Sequence, residues 1–459
     1  MATPSSVAPE LRDVDWSDPW DTVRRGARLI SPLVGLIKSV EAGPVRAQDP
    51  GFHSLGVSLP DLFRVSDVLN TNKAGGGGEE IEVALAATVG ETVERYCMLF
   101  YDKEQMTYAP YREVAEHAVE PDLIRLHSRA QSENGSSHII RGFFDDDTPI
   151  YWQWGHSLTS GRPRLVPASQ VYLNYRMHKE EGSAGHNAST GLAAGATLEE
   201  AILTGLLECI ERDAFTLAWQ HRNFGRRVRV DDERLAEKLS RHFRTDHPDV
   251  ELEIYDITTD LPIPSLFAMC RRPSEFGPAL LISTVARLDA RAALAKCLRE
   301  MGQCLPYLRY LSDQLADWTP ADDHSDITSF DHHFTLYLKR PELVDEAIGF
   351  RHAVDQEIAL SQLPNHATGR PLGDIERAVE LLDSLGLEVI VVDLTTPDIR
   401  DVGLHVVRVM VPGLVPLHGN HATQYLGVQR LYDVPAKLGW YPPGTDIAAQ
   451  LNPYPHPFP

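Results

Sequence analysis

Two separated helical stretches of this chain carry the same charged triplet, and that repetition limits what the chain can fold into more than any other feature. Residues 187–215, NASTGLAAGATLEEAILTGLLECIERDAF, run from a loop of small residues into a stretch dominated by Ala, Leu, Glu and Ile. Thr197 followed by Glu200 reads as a capping box, so a helix is predicted to start there. Leu203, Leu207, Ile210, Ala214 and Leu217 recur at spacings of four and three, giving one apolar stripe. Glu208, Glu211 and Arg212 share a face beside that stripe. A single face of this kind is ordinarily solvated, with ion pairs of about 0.2–0.5 kcal/mol each. Residues 86–100 repeat the frame, with Glu91, Glu94 and Arg95 beside the stripe Ala86, Gly90, Val93, Cys97 and Phe100.

A third helical segment, residues 290–308, has the stripe Leu294, Leu298, Met301, Leu305 and Leu308, with Glu300 and Gln303 beside it. Carboxylates from three helices meeting in one place would repel one another and raise each other's pKa unless cations neutralised them. Hard divalent ions with oxygen ligands, Mg²⁺ above all, answer that need, and phosphates commonly complete the shell.

Composition sets outer limits. The 459 residues suffice for a large core, and 43 % hydrophobic with 24 % charged residues is a globular balance. A formal charge of -22 and the lack of a long basic run argue against a nucleic-acid surface. The five cysteines, Cys97, Cys209, Cys270, Cys297 and Cys304, form no CxxC pair, so buried free thiols in a reducing compartment are expected. No signal peptide and no apolar run of about 18 residues is visible, and a soluble, cytoplasmic protein without a membrane span is expected.

In chain order, residues 1–24 read as a polar, extended or partly ordered lead-in, and residues 29–42 as the first structured element. Asn72 to Gly78, NKAGGGG, sets four glycines behind Lys73, which suits either a flexible loop or close approach to phosphate. Residues 129–138 read as a surface loop, and residues 151–173 as a hairpin turning at 159–162. Residues 252–257 and 279–284 are strand-like; residues 311–333 form a polar, acidic loop whose His324, His332 and His333 read as solvated. Residues 374–385 form an amphipathic helix ended by Gly386 and followed by the buried strand LEVIVVDL. This grammar predicts a mixed α/β (α+β) domain of two comparable halves, each giving one ExxER helix to a shared centre. The alternating Pro453, Pro455, Pro457 and Pro459 enforce an extended tail, which composition alone would make disordered or a docking ligand.

The two ExxER helices, the loop STGLAAG (residues 189–195) and the ExxQ of Glu300 and Gln303 resemble the nucleotide-binding signature of the YcaO superfamily. Residues 151–173, VIVVDLTTPDI (389–399), VVRVMVPGLVPL (406–417) and the final PYPHPFP are similar to its azoline-forming branch, and the likeness spans residues 25–459 as one domain. The resemblance implies two α/β halves around a central ATP and Mg²⁺ site. Glu91, Glu94, Glu208, Glu211 and Glu300 would bear the metal. Arg95, Ser189, Arg212, Gln303 and Lys73 would meet the nucleotide, although here Lys73 precedes the glycines. The tail at residues 453–459 would reach the active site, with Pro455, Pro457 and the carboxylate of Pro459 assisting proton transfer, a group ionised at neutral pH.

The implied activity is an ATP-dependent cyclodehydratase that converts Cys, and secondarily Ser or Thr, of a ribosomally made precursor peptide to thiazoline or oxazoline. A thioamide- or amidine-forming enzyme of the same superfamily is the alternative, and a non-catalytic nucleotide-binding scaffold is the alternative of another class. The short lead-in leaves no room for a leader-recognition domain, so a separate E1-like (ThiF-like) partner is expected. A flavin dehydrogenase acting later and a homodimer are further expectations.

Overall fold

The computed structural model describes residues 8–44, 46, 49–60, 74–133, 140, 142–173, 175–349 and 356–459. Lys73 lies outside the described residues, so its expected phosphate contact has no structural counterpart here.

Three sheets frame the centre. A three-stranded antiparallel sheet orders Ser39–Ala42, His53–Ser58 and Gly75–Gly78. A five-stranded sheet runs Gly277–Ala286, Ser265–Ser274, Glu251–Asp256, Arg226–Arg229 and Glu357–Ala359, with only its last pair parallel. The third sheet orders Thr107–Ala109, Ile150–Ser157, Ile390–Asp393, His405–Met410 and Leu192–Gly195, and Pro163–Pro167 pairs with Ile150–Ser157 as the expected hairpin. Antiparallel pairing dominates, as in a mixed α+β chain; tight turns join Ile150–Ser157 to Pro163–Pro167 and Ser265–Ser274 to Gly277–Ala286, while helices and longer segments connect most of the other strands.

Three helices fill the space between the sheets: α1 (Ile81–Cys97), α2 (Leu198–Gln220) and α3 (Ala290–Gln314). Helix α1 packs on Gly75–Gly78 and Leu192–Gly195; α2 lies between His405–Met410 and Gly277–Ala286; α3 covers Gly277–Ala286 and Ser265–Ser274 and reaches Gly75–Gly78. The Thr197 hydroxyl caps α2 by accepting from the Glu200 N–H, but the Glu200 carboxylate accepts from the Ser17 N–H at 2.6 Å instead of closing a capping box. That bond, with Glu199 accepting from the Arg12 N–H, pins part of the lead-in, and a short helix, Pro19–Ala27, already begins within it.

Two expected stripes prove incomplete. Helix α2 is buried almost all round, because a sheet lies on either side of it. On α1 the inward face is Ala84, Thr88, Val89, Thr92, Val93 and Cys97, with Ala86 and Gly90 only half-buried. Its two threonines bury without cost to polar satisfaction, since each hydroxyl donates at 2.7 Å to the carbonyl four residues earlier. The α3 stripe is buried as expected.

The glycine run is an ordered strand, Gly75–Gly78, and not a flexible loop. A Cβ at Gly76 would meet the Thr88 backbone nitrogen at 2.4 Å, so absence of a side chain is what lets α1 lie against the strand. The segment expected as a polar loop at 311–333 is shorter, because α3 runs on to Gln314 and α4 (Phe330–Lys339) begins early. His333 is 0 % exposed rather than solvated, being on the inner face of α4, and His332 stacks on Trp318. Helix α5 (Pro371–Asp383) ends near the expected Gly386, whose φ of 75° supplies the left-handed turn.

Candidate active site

Each ExxER helix follows a strand, and each is tied to the backbone ahead of it in the same way. The Gly75 N–H donates to the Glu91 carboxylate at 3.1 Å, and the Gly191 N–H donates to the Glu208 carboxylate at 3.1 Å. Each of those glutamates then pairs with the arginine one turn on, Arg95 at 3.5 Å and Arg212 at 3.3 Å. The sequence repeat is therefore a structural repeat: strand, glycine donor, glutamate acceptor, arginine. Gly191 has φ 84° and a Cβ there would lie 2.1 Å from the Val409 carbonyl oxygen, so the donor position admits only glycine.

The second glutamates, Glu94 and Glu211, both lie within electrostatic reach of Glu208. Burial, with Glu208 and Glu91 adding to it and Arg95 opposing, holds the Glu94 carboxyl well above its ordinary range. Burial likewise pushes Glu211 up to about 7, against the pull of Arg212 and Lys296 and with help from Glu300 and Glu208. Glu211 accepts from the Ala286 N–H at 3.3 Å. Glu300 on α3 accepts from the Ser283 hydroxyl at 3.0 Å and pairs with Lys296 at 2.8 Å. Burial works against its charge, but Lys296, Arg287 and Arg299 outweigh that and keep Glu300 ionised. Gln303, one turn on, presses against the glycine strand, where a Cβ on Gly77 would strike its side-chain amide at 2.4 Å. The five expected glutamates, both arginines and Gln303 are thus brought to one centre. Ser189 is half-buried at its margin, its carbonyl accepting from the Leu192 N–H.

Positive charge faces this centre from residues that the motif reading did not single out. Arg408 is 0 % exposed, donates to the carbonyls of Ala188 and Asn187, and interacts with both Glu208 and Glu94. Arg287, Lys296, Arg299 and Lys238, with Glu79 and Phe52, line a cavity of about 360 Å³ beside Glu300. In the sequence α3 carries a signal, Lys296 one turn before Glu300, but Arg287, just past the strand Gly277–Ala286, and Arg408, inside the strand His405–Met410, belong to no periodic charged pattern.

The tail arrives on the other side. Trp219 donates to the Tyr454 carbonyl at 3.1 Å, His333 faces the His456 carbonyl at 2.9 Å, and the Tyr337 hydroxyl donates to the Pro455 carbonyl. Pro455 to Phe458 are buried and Pro459 is half-buried. The Phe458 ring packs on Phe215 and lies under the Arg212 guanidinium at 4.0 Å, a cation–π contact. Cys209, inside α2, is a packing residue: burial pushes its thiol up to about 12, and it donates to the Val409 carbonyl. All five cysteines are buried and free.

The residues fit a divalent cation with a phosphate-bearing ligand on their own evidence. Burial holds two carboxyls protonation-prone in spite of the arginines and lysine beside them, and a buried Arg212 nitrogen, Nη1, lacks any acceptor.

Comparison with known proteins agrees. Residues 75–415 match the model of the family described as YcaO cyclodehydratase, ATP- and Mg²⁺-binding, and the chain belongs to that family. A solved heterocyclase in complex with substrate and cofactor is 28 % identical with a TM-score of 0.75, covering 98 % of this chain and 59 % of that one, so this chain spans well under two thirds of its length. YcaO from Methanopyrus kandleri bound with AMPPCP and Mg²⁺ shares the fold at TM-score 0.61 and 21 % identity, over 87 % of this chain and 91 % of that one. An uncharacterized protein of Methanothermobacter thermautotrophicus is 30 % identical over 287 residues, 61 % of this chain and 69 % of the relative. Among the described residues no helix is long and apolar enough to cross a membrane.

Proposed function

We propose that this chain is an ATP-dependent cyclodehydratase that turns Cys, and secondarily Ser or Thr, of a ribosomally made precursor peptide into thiazoline or oxazoline. The observation that carries this reading is the meeting of Glu91, Glu94, Glu208, Glu211 and Glu300, from three helices, within reach of Arg95, Arg212 and Gln303. Bound Mg-ATP would supply the phosphoryl group that makes an amide oxygen a good leaving group. The five glutamates would hold the cations, and Arg95, Arg212, Ser189 and Gln303 would orient the nucleotide. Glu94 and Glu211 would give up protons as the cations enter, because added positive charge offsets the burial that keeps them high. The nucleophile comes from the peptide, so no Ser/His/Asp or Cys/His constellation is required of the chain.

The tail supports azoline formation over the thioamide or amidine alternatives: Pro455, Pro457 and Pro459 stiffen a segment whose Phe458 sits on Arg212, where it would line the peptide side and exclude water. A precursor peptide, a separate E1-like leader-recognition protein and a later flavin dehydrogenase complete the proposed setting, with a homodimer as the proposed assembly. The test is mass spectrometry of a Cys-containing precursor incubated with Mg-ATP, this chain and the recognition partner. Loss of one water per modified residue is expected. Exchange of oxygen for sulfur would replace the reading with thioamidation, and nucleotide binding with no change in any peptide would leave a scaffold.

A further inference from the structure

Beneath the tail, histidines far apart in the sequence come together in a pocket the chemistry above does not use. His333 is 0 % exposed, His418 3 % and His456 1 %. One ring nitrogen from each lies within 4.8 Å of the other two. Hydrogen bonding decides where the lone pairs are. His333 Nδ1 faces the His456 carbonyl at 2.9 Å and so carries the proton, which leaves Nε2 a lone pair, and that buried atom has no partner. His418 Nε2 is equally buried and equally without a partner. His456 Nε2 donates to the His418 carbonyl at 2.7 Å, so its Nδ1 carries the lone pair, which accepts from the Phe458 N–H at 3.2 Å and which an ion would take over from that bond.

A buried imidazole nitrogen without a partner calls for a cause, and two in one histidine cluster call for a shared one. Burial keeps all three rings neutral, with neighbouring imidazoles reinforcing it at His333 and His418, and neutral imidazole is the ligand form. Borderline-soft ions prefer such nitrogens, whereas Mg²⁺ prefers the carboxylates of the neighbouring centre. We propose that His333, His418 and His456 form a binding site for a transition-metal ion of the Zn²⁺ type, which pins the C-terminal tail in place. A tetrahedral ion with bonds of about 2.0–2.1 Å needs nitrogens about 3.3 Å apart. The present spread of up to 4.8 Å is wider, so an ion here would draw the rings together, and the stacked His333 and His456, with centroids 3.9 Å apart, would have to shift. His456 stands two residues before Phe458, so an ion here fixes the ring that covers Arg212. The site does not depend on the reaction proposed above.

The experiment strips the full chain with a chelator, saturates the carboxylate centre with Mg²⁺ and ATP, and adds Co²⁺ as the spectroscopic probe. One Co²⁺ per chain is expected, with the visible absorption of a tetrahedral, nitrogen-rich site. His333→Gln and His418→Gln should each weaken it at least tenfold, while Glu211→Gln should retain it. Zn²⁺ should also slow proteolytic removal of the tail at least tenfold relative to the stripped protein. X-ray absorption of the unmodified chain loaded with Zn²⁺ guards against misfolded variants by counting imidazoles directly. Failure of the unmodified chain to retain Co²⁺, fewer than two imidazoles on the ion, equal retention by the histidine variants, or a tail equally labile with and without Zn²⁺ would each overturn the proposal.

Discussion

Replacing Glu211 by Gln tests the electrostatics of the centre without any substrate. In the metal-free protein its carboxyl titrates at about 7, against 4.5 for the free side chain. The folded state therefore binds more protons than the unfolded one between those values, so stability falls as pH rises from about 4.5 to about 7 and is level on either side. At about 1.36 kcal/mol per pH unit, the loss from pH 4.5 to about 7 is slightly more than about 3 kcal/mol. Glu211 is only 3 % exposed, so solvent screening removes little of this. The amide of Gln keeps an oxygen to accept from the Ala286 N–H and carries no charge. Urea unfolding of the stripped proteins should show Glu211→Gln about 3 kcal/mol more stable at pH 8 and close to unchanged at pH 4.5. Added Mg-ATP should reverse the order, stabilising the unmodified protein and not the variant. A Gln variant less stable at pH 8, or a difference that does not move with pH, would refute the account of Glu211 as a carboxyl held high by burial.

Gly191→Ala should cost at least about 2 kcal/mol, from its positive φ and the Val409 clash, whereas Gly56→Ala, with nothing near its Cβ, serves as the neutral control; thermal melts of both decide it. Asp213→Ala should cost about 3 kcal/mol in urea unfolding, because Arg430 and the Val415 N–H lose a wholly buried acceptor and only Asp260 remains for the guanidinium. Phe458→Ala should forfeit about 1.5–3 kcal/mol of burial and slow peptide modification more than nucleotide binding, read by single-turnover mass spectrometry beside nucleotide titration. Glu91→Gln and Glu208→Gln should each abolish Mg-dependent ATP turnover, and normal turnover in both would remove the proposed metal site.

Local sequence carried the helices well, because α1, α2 and α3 each announce themselves by apolar spacing, and the i, i+4 rule alone pairs Glu91 with Arg95 and Glu208 with Arg212. Their meeting was legible only through the repeat, since no periodicity says that Gln303 will rest on Gly77. The glycine run misled for a physical reason: glycine signals loops by its freedom, but here its lack of bulk is what counts, and that depends on a helix that arrives afterwards. Arg408 and His333 were illegible for a related reason. A buried charge or imidazole is made tolerable by carbonyls and rings from distant segments, Ala188 and Asn187 in one case and His456 in the other, and nothing adjacent in sequence marks either.

The two glycine N–H donors carry one further consequence. Glu91 and Glu208 are steadied by main chain as well as by Arg95 and Arg212, so much of their rotamer freedom is surrendered when the polypeptide folds and not when a ligand arrives. A cation entering this cage meets walls already at rest, and its affinity should owe more to charge than to any tightening of the protein around it.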